Sequence, residues 1–245
     1  MGEALIKGLQ GQRLFVCESS LDRVRYLKKK YKITAAGITG AVSASSIVIL
    51  AVKPQDMEPV LAQVKGNRLF ISIAAGLTTK FFEKRLGEGA RVVRAMPNMP
   101  ALIGEGITGV CAGKYAVSAD IKSAQKILAA IGRTIIVKEP MMDAVTAVSG
   151  SGPAYVFIFV EQWIAAAKAL GLEEKHARNL VYETLVGSAH LLQQSEFSAG
   201  DLRARVTSKG GTTQAAMDVF LKGKFDQLMK QALLAAKNRA KELAQ

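Results

Sequence analysis

The run Ile47-Val48-Ile49-Leu50-Ala51-Val52 carries no polar side chain, and Lys53-Pro54 stops it. An apolar run this short and without alternation suits a strand buried on both faces of a parallel sheet. Further β-like runs lie at 14–17, 69–73, 90–95, 107–111 and 134–137, separated by helix-like segments at 21–30, 40–45, 56–64, 78–86 and 118–131. Strands alternating with helices predict a doubly wound, mostly parallel α/β sheet. From Asp143 onward only helical patterns remain, at 153–170, 173–193, 199–205, 213–220 and 225–243. The chain therefore divides into a sheet domain, 1–138, and a helical domain, 139–245.

The change of pattern falls at Ser149-Gly150-Ser151-Gly152-Pro153. Small polar residues followed by proline predict the capped N-terminus of a buried helix. Its free N–H groups suit an anion, although an ordinary cap explains the same residues. The helix after it is apolar on nearly all sides, the pattern of a helix buried in a core or between subunits, and an oligomer is expected. A second glycine turn, Arg205-Val206-Thr207-Ser208-Lys209-Gly210-Gly211-Thr212-Thr213, also opens a helix. Backbone N–H groups and threonine hydroxyls there suit a carboxylate; capping by Thr212 or Thr213 is the alternative.

Charge and rare residues exclude several functions. A net charge of +13 permits attraction to nucleic acid, anionic membrane or anionic small molecules. The cations are dispersed, however. The one dense run, Lys28-Lys29-Lys30 with Lys32, falls where a helix should end and its dipole welcomes positive charge. No nucleic-acid partner is expected. The two histidines, His176 and His190, and the two cysteines, Cys17 and Cys111, lack zinc spacing, which argues against a metal site and a Ser-His-Asp hydrolase. Each cysteine reads as a buried free thiol. The N-terminus has no secretory pattern, and the longest apolar stretch, 154–172, is interrupted by Glu161, Gln162 and Lys168. The expectation is a cytoplasmic protein without a membrane partner.

In a doubly wound sheet the ligand lies beyond the carboxyl ends of the strands. Those ends are Glu18-Ser19-Ser20, Val52-Lys53-Pro54, Ala74-Ala75-Gly76 and Ala95-Met96-Pro97-Asn98, all small or polar. A dinucleotide site needs a strand, a glycine fingerprint opening a helix, and an acid after the second strand. Gly2-Glu3-Ala4-Leu5-Ile6 reads as the opening of that helix, and Glu18 as that acid. The first strand and the first two glycines do not occur in the sequence.

Taken together, AVKP at 51–54, SIAAG at 72–76, RAMPNMPA at 94–101, DAVTAVSGSGPAY at 143–155 and VTSKGGTT at 206–213 resemble pyrroline-5-carboxylate reductase across the whole chain. The resemblance implies a Rossmann-type domain followed by an all-helical dimerisation and substrate-binding domain. It implies reduction of 1-pyrroline-5-carboxylate to L-proline with NADP(H) or NAD(H), and a homodimer, in this family often part of a ring of dimers. It places Gly2, Glu18, Ser19, Ala51, Val52, Lys53, Pro54, Ala74, Ala75, Gly76, Met96, Pro97, Asn98 and Thr146 at the cofactor. Glu139, Glu196, Gly211, Thr212 and Thr213 fall at the substrate, with Thr213 hydrogen-bonding the ring nitrogen as the catalytic group. Hydride addition to a protonated imine creates no oxyanion, so a site without metal or histidine is chemically adequate.

The sequence departs from the family pattern at Met99, where threonine is usual, at Lys209, where proline is usual, at Arg205, where an acid or amide is usual, and at Phe197-Ser198-Ala199. Lys209 and Arg205 bring positive charge to the carboxylate turn, helping an anion or blocking the turn. Glu18 suits a free ribose 2′-hydroxyl and so NADH, with Arg13 or Arg23 as possible partners of a 2′-phosphate. Without the first strand, a gap or exposed edge is expected in the sheet. The chain then either omits upstream residues or is an N-terminally truncated, non-catalytic or altered-substrate relative acting as an oligomeric binding protein; the intact motifs favour omission.

Overall fold

A computed structural model describes residues 1–64 and 66–243. The first half runs α1 (Gly2–Gly8), β1 (Phe15–Val16), α2 (Leu21–Tyr31), β2 (Thr34–Ala35), α3 (Ile38–Ser43), β3 (Ile47–Leu50), α4 (Met57–Leu61), β4 (Leu69–Ser72), α5 (Thr79–Leu86), β5 (Arg91–Met96), β6 (Gly106–Ala112), α6 (Ser118–Leu128) and β7 (Gly132–Ile136). Helices follow: α7 (Met142–Val145), α8 (Gly152–Ala169), α9 (Glu174–Gln194), α10 (Ala199–Arg205), α11 (Thr212–Lys222) and α12 (Phe225–Glu242). Two compact units result, Met1–Pro153 with Leu233–Gln245, and Ala154–Ala232.

Five strands form one sheet in the order β3-β4-β5-β6-β7, parallel except that β6 runs against β5. β1 and β2 pair with each other in a separate parallel ribbon. The two-residue β2 was not anticipated, because so short a strand shows no periodicity. Neighbouring residues of the central strands are all buried: Phe70 and Ile71 at 1% and 0% exposure, Val92 and Val93 both at 0%. Successive strand residues point to opposite faces, so both faces must be covered. Leu69, Ile71, Val93 and Ala95 pack with Ala4 and Leu5 of α1 and with Ile121, Ala124 and Leu128 of α6. Phe70 and Val92 pack with Val42 of α3, Met57 and Leu61 of α4 and Phe82 of α5.

Several helix ends follow from local chemistry. Ser20 Oγ accepts from Arg23 N at the start of α2, and Thr78 Oγ1 accepts from Phe81 N at the start of α5. The last turn of α2 carries Lys28, Lys29 and Lys30 beside its carbonyl end, as expected. Cys111 is buried, and burial pushes its thiol up to about 12, with the Glu139 charge adding to the effect. Cys17, expected to be buried, is exposed, because β1 ends before it at Val16.

The expectation at residues 149–153 needs correction. The segment is not a fresh helix N-terminus: Ser151 N donates to Thr146 O at 2.8 Å, and a π turn over Thr146–Gly150 joins α7 to α8. Proline has no N–H, and its ring crowds the carbonyl four residues earlier. A wide turn accommodates it without breaking the helix. The helical run is therefore continuous over Glu139–Ala169, and by length and composition it is apolar enough to cross a bilayer, contrary to the expectation drawn from 154–172. Nor is α8 buried within the chain, for Phe157 is 56% and Ile158 59% exposed.

A Cβ at Gly132, where φ is +137°, would stand 2.0 Å from Gly106 O in the neighbouring strand. Rigid backbone cannot yield there. Gly132→Ala is expected to cost about 2 kcal/mol or more, measured as the shift of the urea unfolding midpoint at constant m-value.

Candidate functional site

Within the first unit, the carboxyl ends of the parallel strands bring most of the expected cofactor residues to one edge of the sheet. Ala51, Lys53 and Pro54 are exposed after β3, with Val52 half-buried. A Cβ at Gly2, the first residue of α1, would stand 3.7 Å from Ala51 Cβ, so the start of α1 abuts the end of β3 with no bulky side chain between them. After β4, Ala74 N donates to Ser72 Oγ at 3.3 Å, Ala75 is half-buried, and Gly76 turns at φ +80° close to Leu243 O.

The end of β5 meets the π turn. A Cβ at Gly150 would stand 2.7 Å from Met96 Cε and 3.7 Å from Thr146 Cγ2, so Met96, Gly150 and Thr146 form one cluster. Thr146 Oγ1 donates back to Met142 O at 2.9 Å. Pro97 and Asn98 are buried beside it, and Asn98 Oδ1 accepts from Ile107 N at 2.9 Å. The Asn98 side chain thus closes the loop between β5 and β6; its local task is structural.

Glu18 and Ser19 are exposed at the end of β1, in the separate ribbon. Glu18 Oε1 accepts from Ser20 N at 3.0 Å and from Ser19 Oγ at 3.3 Å, which leaves Oε2 to meet a hydroxyl donor. Neither arginine considered for a 2′-phosphate is placed as a ready partner. Arg23 donates to Glu3 Oε2 and stacks on Tyr26, and Arg13 lies over Phe15.

Glu3 is a residue that sequence reading missed. Arg23, Tyr26, Lys30 and Tyr31 of α2 all converge on its carboxylate and bind α1 to α2. The Tyr31 hydroxyl first, then Lys30, Tyr26 and Arg23, hold its carboxyl down to about 2 against the opposing effect of burial. Glu139 has an unexpected setting too. It accepts from Thr79 N at 2.7 Å and from Thr79 Oγ1, and faces the buried Arg94.

The second unit holds the remaining expected residues. Gly211 is the N-cap of α11, with no side-chain cap bond, so the first N–H groups of the helix stay open to a ligand. The turn before it is intact: Gly211 N donates to Ser208 O at 3.0 Å, and Gly210 takes φ +73°. Lys209 therefore does not block the turn. Thr212 is exposed and Thr213 half-buried at the helix start. Arg205 stacks its guanidinium 3.5 Å from the centre of the Phe197 ring, next to exposed Glu196. That contact explains why an arginine and an aromatic occur together there.

Comparison with known proteins gives two sequence-family matches. Residues 139–243 match pyrroline-5-carboxylate reductase dimerisation, and residues 1–76 match NADP oxidoreductase coenzyme F420-dependent. The pyrroline-5-carboxylate reductase of Mycobacterium tuberculosis is 36% identical over 99% of this chain and 93% of its own length. That of Haemophilus influenzae is 37% identical over 99% and 94%. Among solved structures, a pyrroline-5-carboxylate reductase from Coxiella burnetii superposes with a TM-score of 0.93 at 36% identity, covering 100% of this chain and 95% of that one. Plasmodium falciparum pyrroline carboxylate reductase with NADP bound gives 0.88 at 31% identity, covering 100% and 94%.

The Glu3 carboxyl falls from its ordinary 4.5 to about 2 on folding. A depressed carboxyl contributes stability that is complete above the unfolded value and is lost as pH falls toward the folded one. Glu3→Gln is expected to lower stability near neutral pH and to flatten its decline between about pH 5 and about pH 2, read from urea midpoints of both proteins across that window.

Proposed function

The chain belongs to the pyrroline-5-carboxylate reductase family, and we propose that it reduces 1-pyrroline-5-carboxylate to L-proline with NADH or NADPH. The observation that carries the reading is the match to reductases of this name over 99% of the chain at 36% identity. The strand ends suit a nicotinamide dinucleotide, because Gly2, Ala51 and Ala75 are small residues exposed or half-buried there, with Ala74 and Gly76 buried beside them. That cofactor, when bound, supplies the hydride.

The chain's own residues then have separate tasks. Gly2 and residues 51–54 and 74–76 hold the dinucleotide, with Glu18 and Ser19 at the ribose. Met96, Pro97, Asn98 and Thr146 flank the nicotinamide. Glu18 accepts a hydrogen bond from a free 2′-hydroxyl and repels a 2′-phosphate, so NADH is the preferred donor. Gly211, Thr212 and Thr213 receive the substrate carboxylate on the open N–H groups of α11, where the helix dipole favours an anion. Arg205 and Lys209 add positive charge to the same turn, and Glu196 stands beside it. Thr213 holds the ring nitrogen through its hydroxyl.

Self-association belongs to the same reading. Phe157, Ile158, Leu180 and Val186 are exposed on the protomer within the region that matches the dimerisation family, and a second copy of the chain covers them. A homodimer, assembling further into a ring, a cytoplasmic location, and partners other than membrane or nucleic acid complete the proposal. The division at residue 138 into a cofactor domain and a dimerisation and substrate domain is part of it. None of the relatives described above favours a non-catalytic relative.

Proline-dependent reduction of NAD+ or NADP+ by the purified protein tests the reading; no activity with either would end it. Thr213→Val is expected to lower kcat/KM by about a hundredfold while the dissociation constant of the cofactor, titrated by fluorescence, stays unchanged. Glu18→Ser is expected to shift the NADPH-to-NADH ratio of kcat/KM upward by about tenfold.

A further inference from the structure

Arg94 is a charged residue inside the sheet. It lies on β5 with its side chain 3% exposed, and a guanidinium taken that far from water must be paired. Its partners come from the long helical run. Nη1 is 3.5 Å from Glu139 Oε1, and Nη2 is 3.8 Å from Asp143 Oδ1. Glu139 and Asp143 stand four residues apart, one turn along the same face. Glu139 also accepts from Thr79 N and Thr79 Oγ1, at the first residue of α5. One carboxylate therefore joins three elements: β5, the start of α5 and the start of the helical run.

The next turn of the helical run is held by packing. Val145 Cγ1 lies 2.6 Å from where a Cβ on Gly109 would stand, and Met96 Cε 2.7 Å from the same position on Gly150. Only glycine allows approaches this close. Met96 follows Arg94 by two residues on β5, so both side chains leave the same face of the strand. Gly109 is the residue paired with Met96 across the β5–β6 ladder. The π turn Thr146–Gly150 is thus set by an ionic anchor at its N-terminal side and by two glycine contacts along it.

We propose that Arg94, Glu139 and Asp143 form a positioning clasp that fixes the π turn, and that Glu139 serves the reaction through this clasp instead of touching the substrate. The inference rests on the reading that Met96 and Thr146 flank the nicotinamide. A carboxylate has about four acceptor sites, and Glu139 commits three of them to Thr79 N, Thr79 Oγ1 and Arg94. Arg94 and Glu139 are positioning residues; their effect on catalysis passes through Thr146 and Met96. Misplacing a group that orients reactants lowers turnover, while loss of a direct substrate contact raises KM.

The experiment compares the full-length wild type with Glu139→Gln and Arg94→Lys. Glu139→Gln is isosteric and Arg94→Lys keeps the positive charge, so the fold stays testable; thermal unfolding confirms it. Amide hydrogen exchange is followed at 79–82 and 142–151, and steady-state kinetics with 1-pyrroline-5-carboxylate alongside. The clasp predicts that Glu139→Gln speeds exchange about tenfold or more in both segments, sixty residues apart. It predicts that kcat falls about tenfold while KM for the pyrroline carboxylate stays within about twofold. Arg94→Lys, with one ammonium in place of a two-pronged guanidinium, is expected to exchange faster at 142–151 than at 79–82. Unchanged exchange at 142–151, or a raised KM at constant kcat, overturns the proposal; the latter makes Glu139 a substrate ligand. A wild type without reductase activity sinks the functional reading alone, and the exchange data still decide whether the clasp exists.

Discussion

Burial of the central strands on both faces is the constraint from which the first unit follows. Consecutive residues such as Phe70 and Ile71, or Val92 and Val93, are withdrawn from water on opposite sides of the sheet. One layer of helices cannot achieve that. α1 and α6 cover one face, and α3, α4 and α5 the other. In open α/β sheets covered on both faces, ligands bind in the crevice outside the carboxyl ends of the strands. Ala51 is exposed and Ala75 half-buried there, while Ala74 and Gly76 are buried, so the packing that stabilises the fold also shapes the strand ends where we propose the cofactor.

The second unit has the opposite economy of surface. Its helices leave large apolar side chains exposed, Phe157 and Ile158 among them, at levels a lone soluble helix bundle does not carry. Residues 139–243 match the pyrroline-5-carboxylate reductase dimerisation family, a match that fits self-association. The same apolarity makes the run Glu139–Ala169 pass for a membrane span by length and composition. A helix buried between subunits and a helix in lipid both lose contact with water, and composition alone does not separate them.

Electrostatics in the first unit is local and structural. In the sequence, the excess of positive charge has no dense run beyond Lys28-Lys29-Lys30 with Lys32. Instead, two carboxylates collect several cations or donors each: Glu3 binds α1 to α2 through Arg23, Tyr26, Lys30 and Tyr31, and Glu139 joins β5, α5 and the helical run through Arg94 and Thr79. Asn98 works in the same way on the loop after β5. Glu3, Glu139 and Asn98 are thus engaged in holding structural elements together.

The amino-acid sequence by itself determined the order of strands and helices, the position of the strand ends and the glycine turn before Thr212. Each of these depends on periodicity or on a residue's own φ preference, which are local properties. It also carried the motifs by which the family is recognised, from AVKP to VTSKGGTT. The π turn was misread as a helix cap because Ser-Gly-Ser-Gly-Pro has the local chemistry of both. Tertiary structure decided between them, through Met96 against Gly150 and Val145 against Gly109. β2 was missed because only its partner β1 defines it. The contacts of Glu139 were likewise beyond local reading: Thr79 and Arg94 are remote in sequence, and only the folded sheet brings a buried guanidinium within reach of that carboxylate.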